Sequence, residues 1–141
     1  MESPEVRRRT MQAVKSKDTV PELLVRSMTH KLGFRFRLHR KDLPGKPDLV
    51  FPALHKAIFV HGCFWHGHDC IRGARVPKAN REYWTKKVAR NRERDLKHLE
   101  ELSDAGWKSL VIWECDLRQS ESVSVRINRF LGKGGGVGVE R

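Results

Sequence analysis

The chain has 141 residues, with 29 Lys and Arg against 17 Asp and Glu, a formal charge of +12 at pH 7 with histidine neutral. That length suits a single domain, and so strong a positive field points to a polyanionic partner, bound in a salt-dependent way. No apolar run approaches the ~20 residues of a membrane-spanning helix, and three cysteines without an apolar leader segment predict a reducing, cytoplasmic setting rather than a disulfide framework.

Residues 1–18 are polar and basic, with Arg7-Arg8-Arg9, Lys15 and Lys17, and read as an arm that orders on its partner. Thr19-Val20-Pro21-Glu22 resembles a capping box. Leu24, Met28 and Leu32 then recur at four-residue spacing and Gly33 suits a stop, so the pattern predicts a helix over 20–32. Phe34-Arg35-Phe36-Arg37-Leu38 alternates apolar and basic, as a half-buried strand does, and Leu43-Pro44-Gly45-Lys46-Pro47 is a turn. Asp48-Leu49-Val50-Phe51 and Ala57-Ile58-Phe59-Val60 follow as two strands close enough for antiparallel pairing, completing a three-strand meander.

The segment 61–70, His61-Gly62-Cys63-Phe64-Trp65-His66-Gly67-His68-Asp69-Cys70, crowds metal ligands, candidate bases and bare aromatics together. Residues 78–97 carry eight Lys or Arg against three Asp or Glu, with Tyr83 and Trp84 among them, a pattern that suits nucleic acid or a solvated helix face. Trp84, Val88, Leu96, Leu99 and Leu102 form one helical stripe over 80–105, ended by Gly106. Ser109-Leu110-Val111-Ile112-Trp113 is continuously apolar and reads as a central strand fed by a crossover helix, with Trp107 and Trp113 as core residues. Residues 132–141 are a Gly-rich, loose tail with no assigned role, leaving one domain over 19–131.

Two kinds of chemistry are written into these motifs. Cys63, His68 and Cys70 have a C-x4-H-x-C spacing, and Cys115 can complete a tetrahedral Cys3His zinc site. His66 is an alternative to His68, and three buried cysteines without metal are the plainer reading. The order helix, three strands, helix, strand also brings Asp48, at the start of the second strand, and His61, at the end of the third, to one sheet edge. A carboxylate there beside the backbone carbonyl of Val60 is the hard-oxygen ligation that suits Mg2+ and a phosphate. His61 and His66 flank it with imidazoles matched to proton transfer near neutral pH. Asp48 after Pro47 is otherwise an ordinary turn residue.

Pro44-Gly45-Lys46-Pro47-Asp48-Leu49-Val50-Phe51, Phe59-Val60 with the segment 61–70, Tyr83-Trp84, Asn91, Arg94-Asp95, Gly106-Trp107 and Trp113-Glu114-Cys115 together closely resemble the very short patch repair (Vsr) endonucleases, from about Thr10 to Leu117. The resemblance implies an α/β, restriction-endonuclease-like (PD-(D/E)xK-type) fold, a mixed central sheet flanked by helices with a structural zinc site. It also implies Mg2+-dependent nicking of double-stranded DNA on the 5′ side of the thymine in a T:G mismatch left by 5-methylcytosine deamination. Carried over by position, it makes Asp48 the Mg2+-bridging carboxylate and the Val60 carbonyl a further ligand. His61 and His66 become the catalytic histidines, with Asp95, Asn91 and Glu22 in support. It assigns Cys63, His68, Cys70 and Cys115 to zinc, and Phe64, Trp65 and Trp84 to intercalation beside the mismatch. Such a wedge selects mispaired steps because they cost least to unstack. A monomer on the bacterial nucleoid, acting beside a cytosine-5 DNA methyltransferase and mismatch-repair and gap-filling proteins, is the implied setting.

Two departures qualify the match. Val60 stands where the best-known members have Thr, and the second acid and lysine usual after Pro-Asp in the broader nuclease superfamily are absent, leaving their work to His61 and His66. A nuclease of the same fold with another lesion or sequence specificity, and a non-catalytic zinc-stabilised DNA-binding module, are the competing expectations.

Overall fold

The computed structural model describes residues 19–38, 40–63 and 79–132; Phe64, Trp65, His66, His68 and Cys70, the arm over 1–18 and nearly all of the tail lie outside them. In chain order the elements are helix α1 (Val20–Lys31), strands β1 (Arg37–Leu38), β2 (Leu49–Phe51) and β3 (Lys56–His61), helix α2 (Arg81–Asp104), strand β4 (Lys108–Trp113) and helix α3 (Ser120–Leu131). No helix among the described residues is long and apolar enough to cross a membrane.

Local chemistry sets the ends of these elements. Thr19 caps α1, its hydroxyl accepting from the Glu22 N–H at 3.4 Å, and Pro21 occupies the first turn, where its missing N–H costs nothing. Gly33, at φ +91°, takes the left-handed position that ends the helix. Phe34 and Phe36 are half-buried and Arg35 and Arg37 exposed, as the alternation predicts, but only Arg37–Leu38 joins the ladder.

β1, β2 and β3 form the antiparallel meander, with Leu49 opposite Ile58, and β4 runs parallel to β3, with Val60 opposite Ile112 and His61 opposite Trp113. The 24-residue α2 makes the crossover. The sheet order is β1-β2-β3-β4, so β4 is the edge strand among the described residues rather than a central one. It is nevertheless buried, because both faces are covered. Leu110 and Ile112 meet Val25 of α1 and Val123 and Ile127 of α3, while Val111 packs with Phe59 and Leu102, and with Leu99 and Trp107. Helices on both faces of a mixed sheet make an α/β architecture.

Two other expectations are corrected. Leu96 is 55% exposed, on the solvent side of α2, and of the proposed stripe Leu99 and Leu102 join the core. The sequence reading also assigned no element to 120–131, where Val123, Ile127, Phe130 and Leu131 are buried on one face of α3. Lys56 ties that helix to the sheet. Its buried ammonium donates to the Phe130 carbonyl at 2.5 Å, satisfying a helix C-terminal acceptor with a cation.

Candidate active site

The β2–β3 register creates the site. The Asp48 N–H donates to the Ile58 carbonyl at 3.1 Å, extending the ladder by one residue. Its carboxylate then turns back to accept the Val60 N–H at 2.6 Å through Oδ2. Pro47, fully buried, fixes the chain just before it. Glu22 reaches the same place from α1, 3% exposed, with Arg26 one turn on donating to its Oε2 at 3.2 Å.

Burial pushes the Asp48 carboxyl up, from 3.8 to about 7. The Val60 N–H opposes that rise, the charge and hydrogen bond of Glu22 add to it, and Arg26 offsets a little. Two carboxyl groups in hydrogen-bond contact in a desolvated site cannot both ionise cheaply, so without a cation one of them holds a proton. This is the donor set that a divalent cation neutralises, and Mg2+ asks for only one or two carboxylates besides water and phosphate. Among the described residues no larger group of three or more His, Cys, Asp or Glu side chains forms a ready cage.

The carboxylates open into a cleft of about 440 Å3 lined by Glu22, Asp48, Val60, His61 and Asp95 among others. His61 is the last residue of β3 and 6% exposed. Its ring lies edge-on to Trp113 at 5.1 Å and tilted to Phe59 at 5.7 Å, so aromatic walls fix its direction. Trp113, read from sequence as plain core, is therefore also the neighbour of a candidate catalytic side chain. The Trp113 N–H donates to Asp116 at 2.9 Å and Asp116 pairs with Arg126 of α3, which steadies the end of β4. Asn91 sits one turn before Asp95 on α2, half-buried and outside the cleft lining.

Of the four sulfur and nitrogen ligands expected for zinc, Cys63 and Cys115 are described, and they meet. Each follows its strand by two residues, so the parallel pairing of His61 with Trp113 carries the cysteines together. The Cys115 N–H donates to Cys63 Sγ at 3.4 Å. Trp84, half-buried in the first turns of α2, lies edge-to-face with Tyr83 at 5.1 Å, with the Lys87 ammonium 5.8 Å from its ring centroid. Its position is about 15 Å up the helix from Arg94 at 1.5 Å per residue.

Sequence reasoning assigned no site role to several cleft residues: Lys41, Gly45, Lys46, Arg94 and His98. For the helical pair a signal existed, since His98 lies four residues after Arg94 and three after Asp95, spacings that share a helix face. Gly45 has φ +76°, and a Cβ there would lie 2.9 Å from His98 Cβ and 3.0 Å from Phe59 Cε1. Gly45→Ala is accordingly expected to destabilise the protein by about 1–3 kcal/mol through backbone strain and overpacking. Urea denaturation checks this; an unchanged midpoint would mean that the turn does not rest on α2 as described.

Residues 1–72 match the family model described as DNA mismatch endonuclease Vsr. The chain is 50% identical to the type II nicking enzyme V.XorIIP of Xanthomonas oryzae pv. oryzae, over 92% of this chain and 94% of that protein. It is 38% identical to the DNA mismatch endonuclease Vsr of Escherichia coli, over 84% of this chain and 75% of the relative. A third relative, the type II nicking enzyme V.NaeI of Lentzea aerocolonigenes, is 41% identical over 84% and 74% of the two chains.

Proposed function

This chain belongs to the DNA mismatch endonuclease Vsr family, and we propose that it nicks one strand of double-stranded DNA on the 5′ side of the thymine in a T:G mismatch, with Mg2+ in the Glu22–Asp48 cleft and zinc on Cys63, His68, Cys70 and Cys115. The observation that carries this reading is the carboxyl pair. A protein that only bound DNA would gain nothing from two desolvated acids facing a polyanion, whereas a phosphodiesterase needs them to hold a cation. The mixed sheet with helices on both faces suits the restriction-endonuclease-like architecture expected of the family.

Bound there, Mg2+ would supply positive charge to a phosphodiester and its attacking water. The chain's own residues do the rest. Asp48, fixed by Pro47 and by the Val60 N–H, holds its carboxylate in one direction, and Glu22 is held against Arg26. Hydrolysis requires one proton to leave the attacking water and one to reach the leaving oxygen. His61, braced by Trp113 and Phe59, is placed for one of these transfers and His66 is assigned the other, with Asp95 and Asn91 in support. Phe64, Trp65 and Trp84 are assigned the wedge that reads a weakly stacked mismatch. An asymmetric lesion needs no two-fold axis, so the acting unit is a monomer. It works in the bacterial cytoplasm on the nucleoid, beside a cytosine-5 DNA methyltransferase and gap-filling proteins.

The relatives named as type II nicking enzymes give one alternative its weight: the same chemistry with another recognition context. End-labelled duplexes with T:G or matched T:A in a library of flanking sequences, incubated with Mg2+ and resolved on denaturing gels, separate the two. Nicks confined to T:G duplexes in a restricted context set are expected. Equal cutting of matched and mismatched duplexes would favour the alternative.

A further inference from the structure

The mechanism above leaves the cations of the cleft unused. Lys41 and Lys46 come from the loop between β1 and β2, Arg94 and His98 from adjacent turns of α2, and all four share the lining with Glu22, Asp48 and Asp95. Among the described residues, none of Lys41, Lys46 and Arg94 takes part in an ion pair. Three carboxyl groups alone would repel a phosphodiester; three cations and a histidine in the same lining offset them.

The loop that carries the lysines is anchored along its length. Arg40, at its start, donates to Asp42 at 2.9 Å and lies 6.0 Å from the Trp107 ring centroid. Leu43 packs on the Phe59–Leu102 cluster, the Lys46 N–H donates to the Leu43 carbonyl at 3.1 Å, and Gly45 rests against His98 and Phe59. Lys46 itself has φ +50°, a left-handed conformation that an L-residue with a long side chain seldom adopts. Asn or Gly would sit there with less strain, and this position, one of three non-glycine residues at positive φ among the described residues, is one buried proline away from Asp48. The backbone is thus held in a costly form that keeps the root of a lysine side chain at the rim of the cleft that holds the carboxylate.

We propose that Lys46, with Arg94 and His98 beside it, is the site that holds the phosphodiester to be cut, presenting its anionic oxygens to the Glu22–Asp48 pair. The proposal rests on the nuclease reading. Lys46 acts as a binding and positioning residue: it takes no proton in the reaction, and its ammonium neutralises the phosphate as the strand enters. Arg94 and His98 approach the same anion from α2, so the site is built from two elements locked together at Gly45.

The test uses zinc-loaded full-length protein and a T:G duplex without Mg2+, followed by fluorescence anisotropy across a KCl series. Lys46→Gln is expected to lower the slope of log K against log[KCl] by about one, as loss of one phosphate contact does, and with Mg2+ to lower kcat/KM about tenfold, as loss of a charged hydrogen bond does. Lys46→Gly is expected to bind as weakly as Lys46→Gln while keeping a thermal midpoint at or above wild type, because glycine relieves the left-handed strain. A purely structural lysine would lower the midpoint with the affinity, and that result overturns the proposal, as does an unchanged salt slope. A neutral methylphosphonate scanned along the nicked strand locates the contact. At the phosphate to be cut, Lys46→Gln should add no further loss of binding, while at distant phosphates the two losses should add; additivity at every position overturns the assignment. Because the salt slope, the thermal midpoint and the methylphosphonate scan do not depend on nicking, a wild-type protein that fails to nick T:G duplexes would sink the mismatch reading without deciding the fate of Lys46.

Discussion

Asp48→Asn is expected to reduce nicking by roughly three orders of magnitude or more, on the scale of losing a central electrostatic group in a catalytic site, and at the same time to raise the thermal midpoint of the Mg2+-free protein at pH 8. Both effects have one cause. Burial and the neighbouring Glu22 raise the Asp48 carboxyl from 3.8 to about 7 in the fold. In the unfolded chain the same group loses its proton near its ordinary value. Between about pH 4 and pH 7 the folded chain therefore holds a proton that the unfolded chain has released, so stability falls as pH rises through this window and levels off above it. At about 1.4 kcal/mol per pH unit the full penalty is on the order of 4 kcal/mol.

Asparagine keeps an acceptor for the Val60 N–H and offers Glu22 a donor, yet carries no charge, so its fold loses nothing across that pH range. Thermal scans of both proteins at pH 5 and pH 8 check this, and groups common to the two cancel in the comparison. The wild-type midpoint should drop on going to pH 8 by several degrees more than that of Asp48→Asn. Added Mg2+ should raise the wild-type midpoint at pH 8 and leave the variant nearly unmoved. A variant less stable than wild type at pH 8, or with parallel pH profiles, would contradict the carboxyl-pair description.

Cys115→Ser, or chelation of the wild-type protein, is expected to abolish cooperative folding. Cys63 and Cys115 extend β3 and β4 beyond their last paired residues and meet through the Cys115 N–H and Cys63 Sγ. A zinc ion held there with the proposed ligands His68 and Cys70 would clamp the segment between β3 and α2 to the edge strand. Structural zinc contributes about 10–16 kcal/mol of apparent binding free energy near neutral pH, against a net stability of about 5–15 kcal/mol for an ordinary domain. Elemental analysis of protein purified without chelator should find one zinc per chain, and circular dichroism after chelation should lose its sigmoidal thermal transition. A zinc-free protein that unfolds with the same cooperativity would remove the metal from the account.

How far the fold could be read ahead follows from what each sequence signal measures. Alternation and apolar runs report which faces of an element are covered. They located β2, β3 and β4 to within a residue or so, and they placed Asp48 and His61 at strand ends that open into one cleft. Apolar runs carry no information on edges, however. Leu110, Val111 and Ile112 are buried because α1 and α3 cover one face and α2 the other, not because a strand lies on each side. Leu96 fitted a helical stripe by spacing, but the sheet meets α2 only along its C-terminal part, through Leu99 and Leu102. Helix α3 had a legible signal in Val123, Ile127, Phe130 and Leu131, one that the basic and polar residues between them obscured.

At the site, motif chemistry pointed to residues that act through their own functional groups. It gave no role to Lys41, Lys46 and Arg94, since in a chain with 29 Lys and Arg no single cation stands out until the fold shows which ones share a cleft with the carboxylates. Gly45 and Lys46 are the sharper lesson. Both have left-handed backbones, and Gly45 rests against His98 of α2, some fifty residues onward in the chain, a contact that nothing local to Pro44–Pro47 announces.

The central claim is that the Glu22–Asp48 cleft cuts mismatched DNA. Its most direct test is single-turnover cleavage of one T:G duplex, labelled on both strands, by zinc-loaded wild type and by folded Asp48→Asn in Mg2+. A single nick on the 5′ side of the mismatched thymine, made by wild type and absent with the variant, is the predicted result; nicking by Asp48→Asn at the wild-type rate would contradict it.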